Sequence, residues 1–214
     1  MRRRIKSYKR PSKVRELLTE HIENNASTYL FLGILFLIGI ALGIFFINSL
    51  SASQVEDLKT YINNQIIHIN ENQTNYFKEL AIENILIIVA MWLAGLTIVG
   101  IIIDYAILIY KGFSIGYTIS ALALSIGTGK AFGFIFSGML LQNLLLIPAL
   151  IGTAVSGMRF FKEILKNRDK ESLMIGAIRH TLFSILMIII GICSATTEVF
   201  VSNQLLRMVI EYII

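Results

Sequence analysis

Cysteine and proline are nearly missing from this chain of 214 residues, which has one of the first and two of the second, and histidine is scarce at three. The lone Cys193 excludes an intramolecular disulfide and has no second ligand beside it for a metal, so it reads as a packing residue in an apolar run. Charge is scarce as well: Asp, Glu, Lys and Arg make up 15% of the chain, against about 25% in ordinary soluble domains. These charges are clustered, which leaves long uncharged intervals. Together the shortages exclude a disulfide-stapled secreted scaffold and an ordinary water-soluble globule.

What is present is apolar. Hydrophobic residues are 55% of the sequence and the mean hydropathy is +0.70, more than one soluble core of this length could hide. The net charge of +5 does not point to nucleic acid, because the basic residues sit mostly in two short segments flanking apolar runs, as membrane topology requires. Arg2, Arg3, Arg4, Lys6, Lys9 and Arg10 resemble the start of a secretory signal, but the first apolar run is too long for a signal core and reads as an uncleaved anchor.

Five apolar stretches approach the roughly 20 residues that cross a bilayer: 29–50, 85–103 continuing to 110, 111–130, 131–158 with Pro148 inside it, and 181–200. The expected fold is all-α and polytopic, since lipid offers no partner for an open backbone. The segment 1–28 carries eight Lys and Arg and the loop 159–180 six, which places both in the cytoplasm. The loop 51–84 has Lys59 and Lys78 against five acidic residues, and the tail a lone Arg207, so both belong outside. Within the membrane domain 29–214, five spans satisfy all four assignments, with the amino terminus cytoplasmic, the carboxyl terminus extracytoplasmic, a tight inner turn at Lys111 and a tight outer one at 127–130. Whether the third span crosses fully or re-enters stays open at this level.

The polar segments carry patterns of their own. Val14, Leu17, Leu18 and Ile22 predict an in-plane helix on the inner surface. Outside, Ser53 and Glu56 form an expected capping box, followed by Val55, Leu58, Ile62, Ile66 and Ile69 at helical spacing. That apolar stripe would lie on lipid or the bundle, or dock a partner. The tail from Val199 predicts a short interfacial helix.

No enzyme constellation emerges. Gly127-Thr128-Gly129-Lys130-Ala131 imitates half of a nucleotide-binding loop, but Leu124 and Ala131 stand where that motif needs a glycine and a hydroxyl. His21, His68 and His180 fall on opposite sides of the expected membrane, and His180 beside Arg179 reads as interfacial. No cofactor motif is found. Asp104 toward the membrane interior calls for a partner such as Lys111 or a polar group on another helix; if the second span ends at Ile103 it lies in the interface instead, and an ion or proton path is the functional alternative. Gly39 with Gly43, Gly112 with Gly116 and Gly129 with Gly133 share the four-residue spacing that lets helices approach closely in lipid, within one chain or in a homo-oligomer. Gln142, Asn143 and Pro148 break the regularity of the fourth span, because proline frees a carbonyl that the amides can bond.

The stretch from Asn84 through Gly95, Gly100, Lys111-Gly112 and Gly116, then Gln142-Asn143 with Leu144-Leu145-Leu146-Ile147-Pro148-Ala149, resembles the core of the stage II sporulation protein M family. Members of the wider family often carry a Pro-His pair and a following Glu near these amides. This chain has neither, which favours the sporulation branch and weakens a metal reading. The resemblance implies a non-enzymatic anchor in the mother-cell membrane of an endospore-forming bacterium, acting in engulfment by recruiting peptidoglycan-degrading partners, the stage II sporulation proteins P and D. The competing class is a small transporter or permease subunit lined by the polar fourth span and Asp104.

Overall fold

A chain that cannot hydrogen-bond its solvent must satisfy its backbone within itself, and the long apolar runs are accordingly helical. The computed structural model describes residues 23–68, 73–166 and 169–202. The helices are α1 (Ala26–Ile47), α2 (Ala52–His68), α3 (Gln73–Gly95), α4 (Gly100–Ile126), the short α5 (Thr128–Phe134), α6 (Leu140–Lys166) and α7 (Lys170–Thr197). A π-helical turn, Ile135–Met139, joins α5 to α6, and a second, Glu198–Ser202, extends α7. There is no strand among the described residues. The expected in-plane helix of Val14, Leu17, Leu18 and Ile22, the stripe's last member Ile69 and the tail beyond Ser202 lie outside them.

Neighbour relations fix the direction of each helix. Phe31 meets Tyr105 edge-on at 5.5 Å and Phe46 meets Phe113 at 5.6 Å, so α1 and α4 run parallel. The nitrogen of Lys111 lies 3.6 Å from the Glu83 carboxylate, which makes α3 antiparallel to α4. Helix α7 runs against both α3 and α6: the Asn84 amide donates to the Gly191 carbonyl at 3.1 Å, Trp92 to the Thr181 hydroxyl at 3.1 Å, and Ser194 to the Gln142 carbonyl at 2.9 Å. The long helices therefore alternate in direction along the chain, and the start of α1 and the end of α7 emerge at opposite ends of the bundle.

The core is the shared interior of these helices, centred on Leu32, Ile88, Met91, Leu108, Leu146 and Leu150. The exterior is equally apolar: Leu30, Leu37, Phe45, Leu86, Ile102, Leu144, Leu182 and Ile189 are all exposed. A surface this greasy on several helices is a surface made for lipid. Helices α1, α4, α6 and α7 are each long and apolar enough to cross a membrane. The 23-residue α3 is long enough as well, but it carries Lys78, Glu79 and Glu83.

The boundary between the second and third expected spans is corrected. The chain turns at 96–99, and α4 runs unbroken for 27 residues through Lys111. Thr97 makes this turn: its hydroxyl donates to the Ala94 carbonyl at 2.9 Å and accepts from the Gly100 amide at 3.0 Å. A Cβ on Gly100 would sit inside the Ala94 carbonyl, so the tight return requires glycine there. The third span is thus not a short piece, and its helix is long and apolar enough to cross a membrane. The break expected at 127–130 is confined to Gly127, whose φ of 84° favours glycine, because the next helix starts at Thr128.

The start of α2 is also corrected. The reciprocal cap uses Ser51 and Gln54, not Ser53 and Glu56: the Ser51 amide donates to the Gln54 side chain at 2.9 Å and the Gln54 amide to the Ser51 hydroxyl at 3.4 Å. The S-x-x-Q pattern satisfies the same two orphan donors two residues earlier.

Candidate functional site

Two of the three glycine pairs meet each other. A Cβ at Gly39 would fall on the Ile109 carbonyl, and one at Gly43 on the Phe113 carbonyl; Gly112 and Gly116 stand in the same relation to the carbonyls of Phe36 and Ile40. The backbones of α1 and α4 are in direct contact along a seam that only hydrogen side chains permit. Phe46, Phe113 and Tyr117 close its upper end. Gly129 is different, since nothing lies within 4 Å of a Cβ placed there, and Gly133 is half-buried in α5.

Below the seam, α3, α4, α6 and α7 converge on a buried polar cluster. His180 is 1% exposed, Ser156 5% and Asp104 1%. The His180 ring shares hydrogen bonds with the Ser156 hydroxyl at 3.0 Å and with the Trp92 carbonyl at 3.2 Å. Because a carbonyl only accepts, Nε2 carries a proton and donates to Trp92. The ring also stacks on Phe160 at 6.3 Å, with 2° between planes. Gly95 and Gly157 make room: a Cβ at Gly95 would come within 2.7 Å of His180 Nε2 and 3.0 Å of the Gly157 Cα.

Asp104 lies across Gly157 from this ring. A Cβ on Gly157 would be 3.4 Å from Asp104 Oδ2 and 3.6 Å from His180 Cε1. Neither Asp104 oxygen has a hydrogen-bond partner among the described residues. The expected partner Lys111 is engaged with Glu83 instead. The arrangement holds the Ser-His pairing of a hydrolase but not its geometry: the second ring nitrogen is turned to a backbone carbonyl rather than to a carboxylate. The opening beside it, between Arg159, Glu163 and Arg179, is only about 20 Å³, which holds about one water molecule.

His180 was not legible as a core residue, because its neighbour Arg179 and the loop before it suggest an interface. A usable signal did exist. Gly176, His180, Ser184, Met187, Gly191 and Ser194 recur at three- and four-residue steps and form the buried stripe of α7, so small and polar residues mark the inward face while Leu and Ile face out. Cys193 lies off this stripe, between Gly191 and Ser194, and is exposed rather than packed.

In the fourth span one of the two amide side chains, that of Asn143, bonds the backbone, and Gln142 takes part through its main-chain carbonyl. Asn143 donates to the Met139 carbonyl at 2.8 Å, where the π-helical turn gives way to α6, and the Gln142 carbonyl accepts from Ser194. Asn143 and Pro148 also border an apolar cavity of about 360 Å³ between α1, α4 and α6, walled by Phe36, Ile40, Ile115 and Ile119. On α2, Val55, Leu58 and Ile62 are half-buried and the helix packs against α4; of Ile66 only the backbone is described. Gln54, Glu56, Asp57 and Tyr61 face outward. Among the described residues no three of His, Cys, Asp and Glu gather as a metal site would need.

No curated protein and no solved structure matches the chain. A family profile, Stage II sporulation protein M, matches residues 32–203. That interval holds the glycine seam, the Thr97 turn, the buried cluster around His180 and the amides of the fourth span, and over it the chain belongs to the stage II sporulation protein M family, a family of sporulation-related membrane proteins.

Proposed function

We propose that this chain is a non-enzymatic anchor in the mother-cell membrane that supports engulfment of the forespore by recruiting peptidoglycan-degrading partners, the stage II sporulation proteins P and D. The family match over residues 32–203 carries the reading. The bundle supports it: His180, Asn84, Asn143 and Ser194 spend hydrogen bonds on backbone carbonyls and so stabilise a shape. In this account α3 crosses the bilayer with the four more apolar helices, making five spans. Its charges then lie within the membrane-spanning length, the alternating directions of the helices are compatible with an odd number of spans, and the Lys and Arg bias supports an amino terminus inside.

The partner surface in this account is helix α2, the part of the outer segment that precedes the crossing helix α3. Helix α2 packs against α4 and its stripe residues Val55, Leu58 and Ile62 are half-buried, while Glu56, Asp57 and Tyr61 are exposed, which supports a polar side open to contact. Changing Leu58, Ile62 and Ile66 together to Asp is expected to abolish partner localisation while leaving membrane insertion intact, since α2 would lose its footing without any change to the spans. Fluorescent partners imaged at the septum test this. Normal localisation in the triple variant refutes a role for the segment.

A further inference from the structure

Helix α3 carries charge within the length that spans the membrane in the proposed topology. On its outward face Glu79, Ile82, Glu83, Leu86, Ala90 and Leu93 are exposed at three- and four-residue steps, while Asn84, Ile88 and Met91 are buried opposite. By helical rise Glu83 stands about 18 Å from the turn at Gly95, near the middle of a hydrocarbon layer about 30 Å thick. Lys111 lies at the same level and is drawn into the bundle, with a side chain 16% exposed against 66% for Glu83. Their 3.6 Å separation is an ion pair longer than a hydrogen bond. It leaves most of the carboxylate turned away from the protein.

A carboxylate at that depth faces protein or water rather than lipid tails. Between helices in lipid, apolar packing supplies area, and a polar group supplies the directional contact. We infer that the outward face of α3 is the docking site for a membrane-spanning helix of a partner protein, one that presents a Lys or Arg side chain to Glu83. The inference rests on the recruitment role and on α3 crossing the bilayer. A second copy of this chain does not fit. Two-fold pairing of this face would bring Glu83 and Glu79 against their own equivalents at low dielectric, and neither α1 nor the stretch 181–197 of α7 carries a basic residue to meet them.

A photoactivatable cross-linker placed at Leu86 of the full chain, and at exposed Leu182 of α7 as a control, tests the site in sporulating cells with tagged stage II sporulation proteins P and D. The Leu86 probe is expected to capture a membrane-spanning segment of one of these partners, with a basic residue near the cross-link, and the Leu182 probe is not. Glu83→Leu should lower the yield about ten-fold or more, as loss of one partner of a desolvated charge pair does. Ala90→Trp should lower it comparably by blocking the face, without touching the Glu83 and Lys111 pair. Capture of lipid or a second copy alone, or a yield that Ala90→Trp and Glu83→Leu leave unchanged, would overturn the site. Partners that co-purify with the chain while Leu86 captures none would sink this site and leave recruitment standing. Partners that never co-purify would sink both.

Discussion

Replacing Gly112 and Gly116 together with leucine is expected to lower the amount of folded protein about ten-fold or more, because overpacking costs about 1–3 kcal/mol per site even where neighbours can shift. Here they cannot shift cheaply. The atoms in the way are the backbone carbonyls of Phe36 and Ile40, fixed by the hydrogen bonds of α1, so relief requires moving the whole helix outward. Separation would also undo the contacts of Gly39 and Gly43 and the aromatic closure at Phe46, Phe113 and Tyr117. Leucine at Gly33 or Gly129, where nothing lies within 4 Å of a Cβ, is the matched control and should leave abundance unchanged. Immunoblotting of membrane fractions, with size-exclusion behaviour in mild detergent, checks both halves. Equal abundance of the double variant and the unaltered chain would contradict a backbone-to-backbone seam.

The second large effect is expected at His180. Replacement by alanine removes a ring that is 1% exposed, leaves a cavity against Phe160, and strips the Trp92 carbonyl and the Ser156 hydroxyl of their partner. Truncating a large buried side chain to alanine costs about 2–5 kcal/mol, and an unsatisfied buried polar group about 1–3 kcal/mol more. A thermal unfolding midpoint in detergent should fall accordingly. Asp104→Asn separates structure from charge at the same cluster. Its carboxylate oxygens have no hydrogen-bond partner among the described residues, so the substitution should hold or raise the midpoint. A midpoint that stays put in His180→Ala would mean the cluster does not hold α7 to α3 and α6.

How much of this was legible in the sequence depends on the residue type that carries each feature. The seam was legible because in lipid only glycine lets backbones touch, and the four-residue spacing puts two such positions on one helix face. The spacing did not say which pairs meet: Gly39 and Gly43 found Gly112 and Gly116, while Gly129 has the same spacing and open space around it. Hydropathy could not place the turn at 96–99, since Leu96, Ile98 and Val99 continue the apolar run and the stop is made by one threonine hydroxyl and one glycine. Lys111 looked like a loop because a lone lysine in an apolar run has no visible partner. Its partner Glu83 becomes a neighbour only once α3 folds back on α4. Asp104 was recognisable as an interior carboxylate, whereas its proximity to His180 depends on Gly95 and Gly157 letting α3 and α6 approach.

The buried cluster and the seam make the same point about function. The stage II sporulation protein M family match names a membrane protein of sporulation, and this member's polar chemistry is directed at its own backbone, at Trp92, Met139, Gln142 and Gly191. In the proposed reading the chain is an anchor whose packed helices offer partners the polar side of α2 and the outward side of α3.

Affinity purification of the tagged full chain from sporulating cells in mild detergent, followed by identification of what accompanies it, tests the recruiting role most directly. The account predicts stoichiometric recovery of stage II sporulation proteins P and D. Recovery of an ATPase in their place would contradict it and identify the chain as part of a transporter.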